Sequence, residues 1–280
     1  MDTIIGLGKT GCAIADHFAA YEQYNIYKIG LSLKGLKKNG IYDFPKQPGP
    51  EDYEAKCPNM KSFFKNCSGE VLFIVDGSEE ISAAGLRVLE NIKKKNCLIN
   101  ILYIKQDMEF FSNSSQMTDR VAFSVLQEYS RSAVFDRVIL INVPNVEPMV
   151  DQLPMTQQLE AAHNLIASTI HMINVYNHID SVIDTFSDPP NSARIATIGL
   201  GQIDNEINFF FPLDKTREIR YYYGINKERL DSEKGLLKKI KEQLKENSQK
   251  GTRTSYGVYS TNYEQDYVYT LALSSEIQKG

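Results

Sequence analysis

Apolar residues recur along the first two thirds of the chain in two alternating rhythms. Thr3-Ile4-Ile5 is short and β-branched, the signature of a strand. From Cys12 to Tyr21 the apolar positions Ile14, Ala15 and Phe18 fall at helical spacing. A second strand is expected over Asn25–Leu31. Residues Lys34–Glu54 read as irregular, because Pro45, Pro48, Gly49 and Pro50 interrupt any period. Pro58–Asn66 reads as a short helix. Val71-Leu72-Phe73-Ile74-Val75 is an unbroken apolar run, typical of a strand buried on both faces. Helices are then expected at Ile81–Lys95, Thr118–Ser132 and Gln157–Tyr176, with strands at Asn100–Ile104 and Arg137–Asn142 between them. Strands alternating with helices predict a parallel sheet with helices on both faces.

After Asp188-Pro189-Pro190 the rhythm changes. Strands are expected at Arg194–Leu200, Arg217–Tyr223, Arg253–Ser260 and Tyr267–Leu273, with an amphipathic helix at Leu230–Glu246. The predicted architecture is an α/β domain over residues 1–178, closed by a long central helix at 157–176, then a smaller α+β domain over residues 190–280. The aromatic runs Phe209-Phe210-Phe211 and Tyr221-Tyr222-Tyr223 are expected in strand core.

Composition narrows the classes. With 42% hydrophobic and 24% charged residues in 280, the chain is neither fibrous nor disordered. No apolar run approaches the ~18 residues of a membrane helix, and no basic stretch precedes the first strand, so no signal peptide is expected. A formal net charge of −4 argues against a surface that coats nucleic acid. Cys12, Cys57, Cys67 and Cys97 show neither metal-binding spacing nor framework density, so reduced thiols and a cytoplasmic location are expected. His163, His171 and His178 sit at near-heptad spacing, unlike the three- or four-residue spacing of helical metal ligands, and no metal site is expected. Residues 227–250 carry eight basic and five acidic side chains, the pattern of a solvated helix face.

The one motif with chemistry is Gly6-x-Gly8-x-x-Gly11, placed between a strand and a helix. Such a turn lets backbone approach a phosphate at a helix N-terminus, and Lys9 adds a positive charge. It serves equally as a tight packing turn. A dinucleotide site also asks for an acid about 20 residues on. Here that stretch reads Lys28-Ile29-Gly30-Leu31-Ser32, which leaves an NAD or adenine-nucleotide binder as a minor alternative. A Walker loop is excluded, because Cys12 and Ala13 follow Gly11. At a helix N-terminus Cys12 is expected to have some thiolate character.

The order of elements over residues 1–201 resembles the tubulin/FtsZ superfamily, and in its length the chain resembles the short bacteriophage members. Gly8-x-x-Gly11-Cys12 looks like that family's first phosphate loop. Val71–Val75 followed by Asp76-Gly77 is similar to the strand entering its glycine-rich signature loop. Asn142-Val143-Pro144-Asn145 resembles the Ile-Pro-Asn strand end. Phe186-Ser187-Asp188 resembles the loop that completes a neighbour's active site, and Ile195–Gly199 the strand opening the second domain. The resemblance implies GTP or GDP as ligand, with Mg²⁺, and head-to-tail homo-oligomers or filaments that hydrolyse the nucleotide between subunits. It implies phosphate contacts from Gly6, Gly8, Lys9, Gly11, Cys12, Gly77 and Ser78, a ribose contact from Glu109, a base contact from His163 or Asn164, and Asp188 as the catalytic acid.

The departures carry equal weight. The family's Gly-Gly-Gly-Thr-Gly-Ser/Thr-Gly loop is Asp76-Gly77-Ser78-Glu79-Glu80-Ile81-Ser82 here. Glu79 and Glu80 bring carboxylates to the place of the terminal phosphates, where like charges repel. Acids at this strand–helix junction also suit the first turn of the following helix. Ala13 replaces a polar side chain, and polar residues around Ser112 and Asn113 replace an arginine. The leading expectation is therefore a tubulin/FtsZ-like protein with a degraded nucleotide site, acting by self-association or through a protein partner, with GTP or GDP and Mg²⁺ or no cofactor at all left as equal alternatives. An active GTPase filament is the alternative.

Overall fold

The computed structural model describes residues 1–34, 40–93 and 97–279. The chain divides into two compact units, Met1–Ser168 and Thr169–Gln278.

The first unit is built on the parallel sheet order β3-β2-β1-β4-β5-β6. Its strands are β1 (Thr3–Leu7), β2 (Asn25–Gly30), β3 (Ile41–Asp43), β4 (Glu70–Asp76), β5 (Leu98–Lys105) and β6 (Arg137–Asn142). They alternate with α1 (Gly8–Phe18), α2 (Pro50–Ala55), α3 (Gly85–Lys93) and α4 (Asn113–Arg131), followed by the short α5 (Val143–Val146) and the long α6 (Met155–Tyr176). The expected alternation therefore stands. β4 is buried from Val71 to Asp76, as its unbroken apolar run requires.

Three local differences have physical causes. Within the stretch expected to be irregular, Pro50 opens α2 instead of breaking it. It occupies the first helical turn, where no N–H is needed, with Glu51 and Asp52 beside the positive helix end. Residues 61–66 form turns rather than a helix. Their rings Phe63 and Phe64 pack against Tyr27, and Phe63 also against Tyr42. α4 begins five residues before the expected Thr118, because the Ser112 hydroxyl accepts the Ser115 N–H and caps it. The expected helix end at Lys94–Lys95, and residues 35–39 of the expected loop, lie outside the described residues.

The second unit has the sheet order β8-β12-β10-β11-β7, with β9 paired to β8. The strands are β7 (Ile183–Asp184), β8 (Ile195–Gly201), β9 (Asn208–Phe209), β10 (Thr216–Asn226), β11 (Arg253–Thr261) and β12 (Tyr267–Ser274). β10 and β11 are parallel, joined through α7 (Lys227–Ser232) and α8 (Leu236–Glu246). The single helix expected here is broken at Gly235, whose φ of +84° is left-handed. Strand alternation sends the tyrosine run to two faces. Tyr221 and Tyr223 cluster with Ile240 and Leu244 of α8. Tyr222 stacks with Tyr176 and Tyr259.

The first unit ends and the second begins within α6, between Ser168 and Thr169. Tyr176, at the helix end, stacks on Tyr222 and Tyr259 and leans on Tyr269, so the last turns of α6 pack with the second unit. Among the described residues no helix is long and apolar enough to cross a membrane.

His171 is buried on α6, and burial pulls its pKa from the ordinary value near 6.5 down to about 4. An imidazole that is neutral when folded and protonated when unfolded makes stability fall with pH. Urea midpoints are expected to drop from pH 6.5 towards 4, and His171→Phe should flatten that slope. An unchanged slope in the variant would exclude His171 as its source.

Candidate phosphate-loop site and its internal carboxylate

The site grows from the turn between β1 and α1. Gly8 has φ +83°, a conformation that favours glycine. A Cβ there would sit 2.2 Å from Glu79 Oε2. The first N–H groups of α1 then point out of the helix, as every helix start leaves them. The Lys9 N–H donates to Glu79 Oε2 at 2.7 Å, and the Thr10 N–H donates to Glu79 Oε1 at 2.8 Å. One carboxylate thus grips two adjacent backbone donors.

Asp76, at the end of β4 and 2% exposed, forms the second layer. Its Oδ2 accepts the Thr10 hydroxyl at 2.9 Å and the Gln106 amide at 2.7 Å. Its Oδ1 accepts both the N–H and the hydroxyl of Ser78. Burial raises the pKa of Glu79; the Thr10 and Lys9 N–H groups pull it down, and the Asp76 charge pushes it up. Gly77 lies where Tyr103 leaves no room for a side chain, its Cβ position 1.7 Å from the phenol oxygen. That phenol donates to Asp119 at 2.6 Å, and Lys105 pairs with the same carboxylate at 2.8 Å.

The other residues named from the sequence divide clearly. Gly6 and Gly11 are packing positions: Cβ atoms there would meet Gly11 O at 2.3 Å and Ile74 O at 2.6 Å. Cys12 is buried, with Sγ directed at the carbonyls of Gly6 and Ile29. Burial pushes its thiol up to about 12, so the expected thiolate character is absent. His163 is half-buried, and its pKa is lowered by burial and by the charges of His17 and Lys9 against the opposing Asp76. Its neighbour Asn164 on α6 is exposed. Glu109 is exposed in a single turn after β5. Glu80 is exposed at the start of a 3₁₀ turn, the helix-start role expected of it. Among the described residues no group of three or more His, Cys, Asp or Glu could hold a metal ion.

Asp188 lies in the second unit with its side chain exposed. There its carbonyl accepts Arg253 Nη2 at 2.8 Å, and the Ser187 hydroxyl accepts Nη1 at 3.0 Å. Arg220 also donates to the Ser187 carbonyl and lies over the Phe186 ring. Both guanidiniums pair with Glu218, which is wholly buried. Sequence reasoning passed over Glu218, although a lone acid between Arg217 and an apolar strand was its signal. Thr10 and Gln106 were missed because their shared partner, Asp76, is distant from both in sequence.

No protein-family model and no curated protein sequence matches the chain. Solved structures do match in fold. An empty FtsZ dimer from M. jannaschii aligns over 97% of this chain and 87% of its own, with TM-score 0.72 and 14% identity. The GTPγS-form protofilament of TubZ from Bacillus thuringiensis serovar israelensis aligns over 97% and 86%, with TM-score 0.71 and 15% identity. The GTPγS-bound protofilament of CetZ2 from Haloferax volcanii aligns over 98% and 92%, with TM-score 0.64 and 12% identity. The chain has the tubulin/FtsZ fold.

Proposed function

We propose that this protein is a tubulin/FtsZ-like assembly protein whose nucleotide site is closed by its own Glu79, and that it associates with its own copies without turning over GTP. The observation that carries this reading is the Glu79 carboxylate on the Lys9 and Thr10 N–H groups. A helix N-terminus is a ready anion site, and here an internal anion takes its donors. A terminal phosphate would have to displace that carboxylate or lie beside it. Two like charges 4 Å apart repel by roughly 1 kcal/mol in water and roughly 4 kcal/mol near a protein surface. The residues present therefore do not fit a nucleoside triphosphate in the usual place. Self-association is supported by the solved relatives, several of which are protofilaments, including TubZ in both GTPγS and GDP forms.

The test pairs the native protein with the double variant Glu79→Thr, Glu80→Gly. Melting curves are recorded with GTP, GDP, ATP and NAD, each with and without Mg²⁺, beside light scattering for assembly. Native protein is expected to scatter without nucleotide and to show no ligand shift. The variant should gain a guanine-nucleotide shift of several degrees, since ligand at 100 times its Kd adds about 2.7 kcal/mol. A guanine shift in native protein would overturn the closed site and favour a working GTPase. A variant that still ignores nucleotides would show that Glu79 is not the barrier.

A further inference from the structure

We propose that a cavity in the first unit, lined by β4, α2 and α4, binds a small amphiphilic cation, an alkyl chain carrying an ammonium head. The cavity measures about 600 Å³, within the ~300–1,000 Å³ of small-molecule sites. It exists because the chain places short side chains where long ones would fill the space. Ser82, Ala83 and Gly85 line it at the approach to α3. Its floor is Phe73 and Val75, which share one face of β4 by strand alternation.

α4 supplies a mainly apolar wall, with Ser114 and Thr118 as its polar members. Met117, Val121 and Val125 recur every fourth residue and all face the cavity. Met117 and Val121 are 69% and 55% exposed, so the stripe is left open to a ligand at its outer end. The opposite wall is α2, and its charges have one sign. Glu51, Asp52 and Glu54 line the cavity, with no lysine, arginine or histidine among the lining residues. Asp52 pairs with Lys56 at 2.8 Å and Glu54 with Arg87 at 3.6 Å. Glu51 is exposed and has no side-chain partner among the described residues. An apolar slot with an uncompensated carboxylate at its rim selects an apolar body with a positive end. A fatty acid of the same length would bring its own negative charge to that rim.

Calorimetric titration of the native chain tests this, with decyltrimethylammonium below its micelle concentration, octyltrimethylammonium and decanoate as probes. Burying a methylene is worth about fourfold in affinity, so the decyl probe is expected to bind about 15-fold tighter than the octyl probe. Decanoate should bind at least tenfold more weakly. Ala83→Leu, which fills the slot, should abolish binding. Glu51→Lys, an exposed change that leaves the walls intact, should weaken the decyl cation at least fivefold and improve decanoate. Absence of saturable binding by the decyl cation would overturn the proposal. So would equal binding of decanoate, or binding indifferent to Glu51→Lys in a folded variant.

Discussion

Replacing Glu218 with alanine is expected to lower the free energy of unfolding by about 3 kcal/mol, near the lower end of the cost of breaking a buried ion pair. The carboxylate is 0% exposed. It accepts Arg220 Nε at 3.0 Å, Arg253 Nη2 at 2.6 Å and the Ser255 hydroxyl at 3.0 Å. Removing it leaves two guanidiniums facing each other without their shared anion. Arg253 is 42% exposed and can turn to water, whereas Arg220 at 14% is more confined, which sets the estimate below the upper limit. Both arginines hold the backbone at Ser187 and Asp188, so the Phe186–Asp188 segment should become protease-sensitive in the same variant. Urea unfolding and limited proteolysis read the two effects. A loss under 1 kcal/mol with an intact segment would mean that Glu218 does not organise this end of the sheet.

Gly6→Ala is expected to cost about 3 kcal/mol, the upper part of the usual range for overpacking. Its Cβ would lie 2.3 Å from Gly11 O, 2.6 Å from Gly11 C and 2.8 Å from Cys12 Cα. These are backbone atoms, so α1 must lift from β1, and the N–H groups that grip Glu79 would move with it. Gly85→Ala is the matched control. Nothing lies closer than 3.8 Å to its Cβ position, and the residue opens α3. A small gain of about 0.5–1 kcal/mol is expected there, from reduced freedom of the unfolded chain. Equal effects at the two positions would exclude close packing as the reason for Gly6.

Much of the framework was legible because it is local. The unbroken apolar runs of β4 and β5, the helical spacing in α4 and α6, and the turn at Gly6–Gly11 depend on neighbours a few residues away. α2 was missed because Pro50 reads as a breaker unless its position in the first turn is known. The break between α7 and α8 rests on the left-handed conformation of one glycine, Gly235. The site was half legible. Gly8 and Lys9 were placed from the motif, but the carboxylate that accepts the Lys9 and Thr10 N–H groups is about 70 residues away, and only the register of β1 beside β4 brings them together. A helix advances about 100° per residue, so a one-residue uncertainty exchanges a facing side chain for an exposed one. In the structure His163 is half-buried and Asn164 is exposed.

The Glu79 carboxylate differs from a dissociable ligand in being tethered. A group carried on the same folded framework meets its site at an effective concentration of roughly millimolar or more, and it cannot be diluted, hydrolysed or exchanged. A free phosphate competes with it on the terms of a second ligand against one already delivered. Under the proposed function, assembly would then follow the amount of protein made, with no clock set by nucleotide turnover and no response to the cell's energy charge.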